Sequence, residues 1–146
     1  MTRDELLEFL RSQRLAVVSS VASAGAPQAA LVGIGVSERF EIVFDTLAST
    51  RKAANVRRDG RVALVIGGWL KQDERTVQLE GLADEPGGAD LERLKLVYYA
   101  AYPEGPNRAN WPGLIYVRVR PQWIRYSDFN RDPPLIVEFR AEDLTA

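Results

Sequence analysis

The sequence predicts a mainly β or α+β fold, in which six or seven antiparallel strands form a small barrel and two or three helices pack outside it. Short runs rich in valine, isoleucine and leucine recur along the chain, separated by turns bearing glycine, proline and serine. Residues 75–83 alternate cleanly, with Val77, Leu79 and Gly81 on one face and Thr76, Gln78 and Glu80 on the other. The few segments with helical spacing are interposed between strands that otherwise follow one another through short links, which favours an antiparallel barrel over a parallel sheet. The 146 residues suit one domain, 1–146, and no repeat, linker or low-complexity segment divides them.

Taken in order, Thr2 and Glu5 have the spacing of a capping box, and Leu6, Leu7, Phe9 and Leu10 supply the apolar face of a first helix. Residues 15–22, 28–36 and 41–44 read as a meander of strands, turning at 23–27 and 37–40. Gly33-Ile-Gly35 is not a dinucleotide fingerprint, because it lies inside a strand and the third glycine is missing. Glycines so placed mark curvature or a close approach. A cationic helix starts near Ser49 and Thr50, and strands follow at 61–66 and 75–83. A helix over 89–101 shows Leu91, Leu94, Val97, Tyr98 and Ala101 on one face. The last long strand covers 114–119 and 122–126, with Pro121 marking an edge or a bulge, and 135–139 adds a short strand. Trp69, Trp111 and Trp123 read as core or interface residues, and Tyr98, Tyr99 and Tyr102 as packing. Asp128, Asn130 and Asp132 lack the rest of a calcium loop and read as a polar turn.

Composition narrows the chemistry. A formal charge of −1 is poorly suited to general nucleic-acid binding. No apolar run approaches the length of a membrane span, so no membrane partner is expected, and a cytoplasmic location is the default. Cysteine and histidine are both absent, which excludes disulfides, thiolate metal sites and the usual serine–histidine and cysteine–histidine mechanisms. Redox or acid–base chemistry would fall to a cofactor, or to carboxylates, lysines and tyrosines.

The sharpest signal lies at residues 44–69. A strand ending at Asp45 and Thr46 leads into a helix start with Ser49, Thr50, Arg51 and Lys52. Hydroxyls, two adjacent cations and unpaired backbone N–H groups at one helix start suit a phosphate. Each residue alone has a simpler reading, as an N-cap or a solvated helix face. The glycines of a triphosphate loop are missing, so a monophosphate fits better.

Phe44-Asp-Thr-Leu-Ala-Ser-Thr-Arg-Lys-Ala, followed by Asp59-Gly-Arg-Val-Ala-Leu, resembles the pyridoxamine 5′-phosphate oxidase-like flavoproteins, the FMN-binding split barrels. Thr76-Val-Gln-Leu-Glu-Gly-Leu-Ala resembles the family's next strand, and Val117-Arg-Val-Arg-Pro-Gln-Trp-Ile-Arg-Tyr its last. The resemblance thus runs from about residue 15 to residue 126. It implies a split β-barrel homodimer with two FMN molecules at the subunit interface. Arg51 and Lys52 would neutralise the FMN phosphate, and Thr46 and Thr50 would donate hydrogen bonds to it. Ala30, Leu31, Val32 and Gly33 would run along the isoalloxazine ring, and Asp45 and Gln78 complete the implied cofactor contacts.

The departures also carry information. Ala30 stands where the vitamin oxidase has an arginine, no histidine exists to hold its substrate phosphate, and Ser127-Asp-Phe replaces a tryptophan region. These imply a relative without the vitamin pocket. The implied activity is hydride transfer through flavin N5 to or from an unidentified small molecule, with no catalytic side chain nominated. The alternatives are a flavin-binding sensor or store without turnover, and a reductase using the deazaflavin F420.

Overall fold

The computed structural model describes residues 1–145, and its architecture follows from strand alternation. The strands are β1 (Leu15–Val21), β2 (Pro27–Gly33), β3 (Gly35–Val36), β4 (Ile42–Leu47), β5 (Arg61–Gly67), β6 (Arg75–Asp84), β7 (Leu114–Asp128) and β8 (Leu135–Arg140). They form one curled antiparallel sheet in the order β2-β1-β5-β6-β7-β4-β3, with β8 also paired to β7. Helices α1 (Arg3–Ser12), α2 (Arg51–Arg58) and α3 (Gly88–Ala101) flank it. The result is a split, half-open barrel of the α+β class.

One face of the curl is the core. Val18, Leu64, Ile66, Leu79 and Ile124 point into it from successive strands, and Phe44 joins them from β4. α1 caps this core with Leu6, Phe9 and Leu10. Burying each such side chain contributes about 1.5–3 kcal/mol. The α1 start forms the expected capping box: Glu5 N–H donates to Thr2 Oγ1, and Thr2 N–H donates to Glu5. Of the two places expected for the tryptophans, the core is not taken: Trp69 and Trp111 are exposed and Trp123 is half-buried.

The expected strand over 28–36 divides at Ile34, and its two glycines explain why. A Cβ on Gly33 would stand 2.5 Å from the Tyr102 hydroxyl, and one on Gly35 would stand 2.9 Å from the Val97 carbonyl. α3 and the residue after it therefore press on the chain where only glycine fits. Past the bend, β3 pairs with β4 (Gly35↔Val43, Val36↔Ile42), whereas β2 pairs with β1 alone. One edge of β2 has no strand partner among the described residues. The barrel closes through the chain at Ile34 rather than through a ladder, leaving a seam between β2 and β4.

Pro121 marks a bulge in a central strand rather than an edge. β7 pairs with β6 from Arg118 to Asp128, with β4 through its first half and with β8 through its second. Pro121 falls between those two halves, where its missing N–H breaks no ladder. Glu80 faces Trp123 and Gly81 faces Pro121, so Gln122 is the extra residue of the bulge. Gly81 is needed there because a Cβ would come within 2.6 Å of the Arg120 carbonyl.

A buried ion network pins α3 to the sheet. Both oxygens of Glu41 accept from Arg93 (2.8 and 2.9 Å), Ser37 Oγ donates to one of them (2.8 Å), and Arg118 reaches the other at 3.4 Å. Burial opposes the Glu41 charge, but these donors and the Arg93 charge outweigh it and hold the carboxyl at about 2, against an ordinary 4.5. The stabilisation from this depressed group is complete above pH 4.5 and is lost as the pH falls toward 2. Glu41→Gln should cost about 3 kcal/mol in urea unfolding at pH 7, because two guanidinium groups lose their buried partner. The variant's unfolding free energy should also change less than the parent's between pH 5 and pH 3. An unchanged midpoint would remove the network as an anchor for α3.

Candidate functional site

β4 delivers the chain to α2 through two linked hydroxyls. Thr50 is the helix N-cap: its Oγ1 accepts from the Ala53 N–H (3.3 Å) and donates to the Leu47 carbonyl (2.9 Å). Thr46 Oγ1 lies 3.2 Å from Thr50 Oγ1, and since the Thr50 proton is already given to Leu47, Thr46 is the donor of that pair. Both hydroxyls thus shape the helix start. The N–H groups of Arg51 and Lys52, first in the helix, have no intrahelical acceptor.

These residues border a pocket of about 180 Å³ at the seam, formed by Thr50, Arg51 and Lys52 of the helix start and by Ser20, Gln28, Ala29 and Ala30 of β1 and β2. Arg51 is exposed, and neither it nor Lys52 makes an ion pair among the described residues. Burial lowers the Lys52 pKa from its ordinary value, and the charge of Asp45 opposes that fall.

Asn55 sets the chemistry of the pocket floor. It is buried, and Arg58 Nη2 donates to its Oδ1 at 3.1 Å. A guanidinium has no acceptor, so the Asn55 carbonyl faces Arg58 and its amide N–H groups face Ser20 Oγ (3.0 Å) and Gln28 Oε1 (2.9 Å). With its carbonyl engaged by Asn55, Gln28 has its own NH₂ left for the pocket it lines. Ser20, accepting from Asn55, likewise keeps its proton to donate. The pocket therefore offers donors and cations. Sequence reasoning missed Ser20, Gln28 and Asn55, because the pairing of β1 with β2 and the packing of α2 on both cannot be read from any local motif.

The other sequence-nominated residues fall in different places. Ala30 and Val32 point inward beside the pocket, Leu31 points outward and is 58% exposed, and Gly33 lies against Tyr102. Asp45 turns away into an internal cluster, accepting from Tyr98 Oη (3.1 Å) and from Arg108 (3.2 Å). Burial and the neighbouring Asp45 charge push the Tyr98 hydroxyl above its usual range, so it stays a donor at physiological pH. Gln78 projects from the opposite face of the sheet, between the inward-facing Val77 and Leu79 and beside Val65. The structure thus brings Ala30, Thr46, Thr50, Arg51 and Lys52 together within one chain. Asp45 is near enough for its charge to act on Lys52, but its carboxylate is engaged by Tyr98 and Arg108, and Gln78 lies on the opposite face.

The family model for pyridoxamine 5′-phosphate oxidase matches residues 2–128, and the chain belongs to that family. Among solved structures, the chain is similar to a heme binding protein from Mycobacterium smegmatis, with 16% identity and a TM-score of 0.82. That match covers 99% of this chain and 60% of the other, so the chain spans about three fifths of that protein's length. It is also similar to the conserved hypothetical protein Rv2991 from Mycobacterium tuberculosis (25% identity, 88% and 85% of the two chains, TM-score 0.73). HutZ, the heme storage protein from Vibrio cholerae, matches at 10% identity over 83% of this chain and 91% of its own, with a TM-score of 0.69. No functionally curated protein matches the sequence.

Asp45→Asn should cost about 1–2 kcal/mol in urea unfolding through loss of the Arg108 ion pair. It should leave inorganic phosphate binding at the α2 start equal or tighter, because the carboxylate acting on Lys52 is gone. Weaker phosphate binding in this variant would make Asp45 a direct part of the site.

Proposed function

We propose that the chain binds FMN, with the phosphate at the start of α2 and the isoalloxazine ring along the free edge of β2, and that it acts as a flavin-dependent oxidoreductase on a small molecule. The observation that carries this reading is the donor-lined pocket at the seam. Arg51 and Lys52 supply charge, the first helical N–H groups and the Gln28 amide supply further donors, and no carboxylate lines it. A phosphate accepts from all of these, and each charge-assisted hydrogen bond is worth about 1.5–3 kcal/mol. The unladdered edge of β2 leaves backbone groups free to meet the polar rim of a flat ring, and Ala29 and Ala30 let that ring come close.

A bound flavin would supply hydride chemistry at N5. The protein's part is to hold the phosphate, to fix the ring against β2 and to keep water from one side of it. A homodimer with the ring at its interface fits the outer face of the sheet. There Leu31, Val17 and Val65 are neighbours across β2, β1 and β5, with Leu31 and Val65 exposed at 58% and 44%. Gln78 adjoins Val65 on this face, so a partner subunit is the means by which it would reach a cofactor.

The likeness to heme proteins raises a second ligand, and the available side chains favour flavin over it. The chain has no histidine or cysteine to ligate iron. Of its five tyrosines, Tyr98 is hydrogen-bonded to Asp45, Tyr99 to Tyr116 and Tyr102 to the Arg14 carbonyl, and Tyr126 is buried in the core against Phe9. The deazaflavin F420 carries a phosphate that suits the same helix start, and absorbance distinguishes it.

Purified protein should be yellow or take up added FMN, with absorbance near 450 nm, whereas F420 would absorb nearer 420 nm. Reduction of the bound flavin by NADH or NADPH would separate an oxidoreductase from a passive store. Arg51→Ala with Lys52→Ala should weaken FMN binding at least about tenfold, or 1.4 kcal/mol, while riboflavin binding changes little. A colourless protein that takes up no flavin would sink the reading, and equal FMN affinity in the double variant would misplace the phosphate.

A further inference from the structure

A second cleft, of about 510 Å³, opens at the opposite end of β4 from the α2 pocket. The span of β4 separates them by about 15–20 Å at 3.3 Å per residue. Five of the residues lining it are arginines: Arg3, Arg39, Arg93, Arg118 and Arg120. They converge from α1, the β3–β4 turn, α3 and β7, in a protein whose formal charge is −1.

The two carboxylates that also line the cleft are both paired with arginines. Glu41 accepts from Arg93, Arg118 and Ser37 on its two oxygens. Asp90 accepts from Arg93 on one oxygen (3.2 Å) and Arg118 on the other (3.2 Å). Arg118 also donates twice to Asp84, at 2.9 and 2.7 Å. A guanidinium carries five N–H donors and no acceptor. Arg120 spends one of them, at 3.4 Å on Asp84, and is 58% exposed. Arg39 makes no side-chain hydrogen bond or ion pair among the described residues. It is held at the mouth of the cleft by a turn in which Ser37 Oγ accepts from the N–H groups of Arg39 (3.2 Å) and Glu41 (3.1 Å). Glu41 is thus buried with both oxygens engaged, the half-exposed Asp90 is paired to Arg93 and Arg118, and the side chains with the most unused donors at the cleft are the exposed Arg39 and Arg120. Pro121, Ala141 and Leu144 add an apolar wall.

We propose that this cleft is a binding site for a small organic polyanion, a phosphate ester or a di- or tricarboxylate, gripped by Arg39 and Arg120 and backed by the Arg93–Glu41–Arg118 network. Its carbon skeleton lies against Pro121 and Leu144. The site is separate from the cofactor pocket and does not depend on the flavin reading.

Amide NMR of the full chain, titrated with inorganic phosphate and separately with citrate, tests this. Saturable shifts are expected at the amides of Arg39, Arg120 and Thr145, and the tighter of the two probes names the anion chemistry. Arg39→Ala with Arg120→Ala removes two exposed side chains and should weaken that binding at least about tenfold. Phosphate-induced shifts at Thr50, Arg51 and Lys52 should persist in the same variant. Overturning results are a lack of saturation by either anion at the cleft, or cleft affinity that survives the double substitution. Saturable shifts confined to the α2 start would equally reject the cleft as a site.

Discussion

The edge of β2 that finds no strand partner is the constraint on which the rest depends. A barrel of this size would normally close by laddering its first and last strands, satisfying every backbone N–H and C=O. Here Gly33 and Gly35 bend the chain under Tyr102 and α3, and only β3 reaches β4. The seam this leaves is a narrow place where backbone polar groups, a helix start and two cations meet. The same geometry that prevents closure creates the pocket.

What keeps the pocket electropositive is the way charges are partitioned. Asp45 lies within β4 and its charge acts on Lys52, but its carboxylate is hydrogen-bonded by Tyr98 and Arg108. Asn55, oriented by Arg58, turns the donors of Ser20 and Gln28 toward the seam. At the far end of β4 the arrangement is inverted in detail but alike in outcome. There Glu41 is buried under Arg93 and Arg118, and Asp90 is paired to the same two arginines, so that Arg39 and Arg120 remain available. At both ends, acceptors paired within the protein leave cationic donors exposed.

Much of the architecture was legible in the sequence, because period-two alternation in β6 and the capping signals at Thr2 and Thr50 act locally. The phosphate-like cluster at Thr46, Thr50, Arg51 and Lys52 was legible for the same reason, being contiguous. What was not legible depended on pairing between distant segments. The division of a strand at Ile34 follows from α3 pressing on two glycines some 60 residues earlier. The roles of Ser20, Gln28 and Asn55 follow from β1 pairing with β2 and from α2 packing on both. The resemblance places Asp45 among the cofactor contacts, and only tertiary packing reveals its partners Tyr98 and Arg108. Trp69 and Trp111 read in the sequence as core or interface residues, and their exposure removes the core while leaving the interface; Leu31 and Val65 are exposed on the outer sheet face.

The central claim is that a flavin phosphate sits at the start of α2 within the seam. A crystal structure of the full chain grown with FMN tests it most directly. The account predicts phosphate oxygens within hydrogen-bond distance of the Arg51 and Lys52 backbone N–H groups and of the Gln28 amide, with the ring along β2. A flavin whose phosphate lies elsewhere, including among the arginines at the other end of β4, would contradict it.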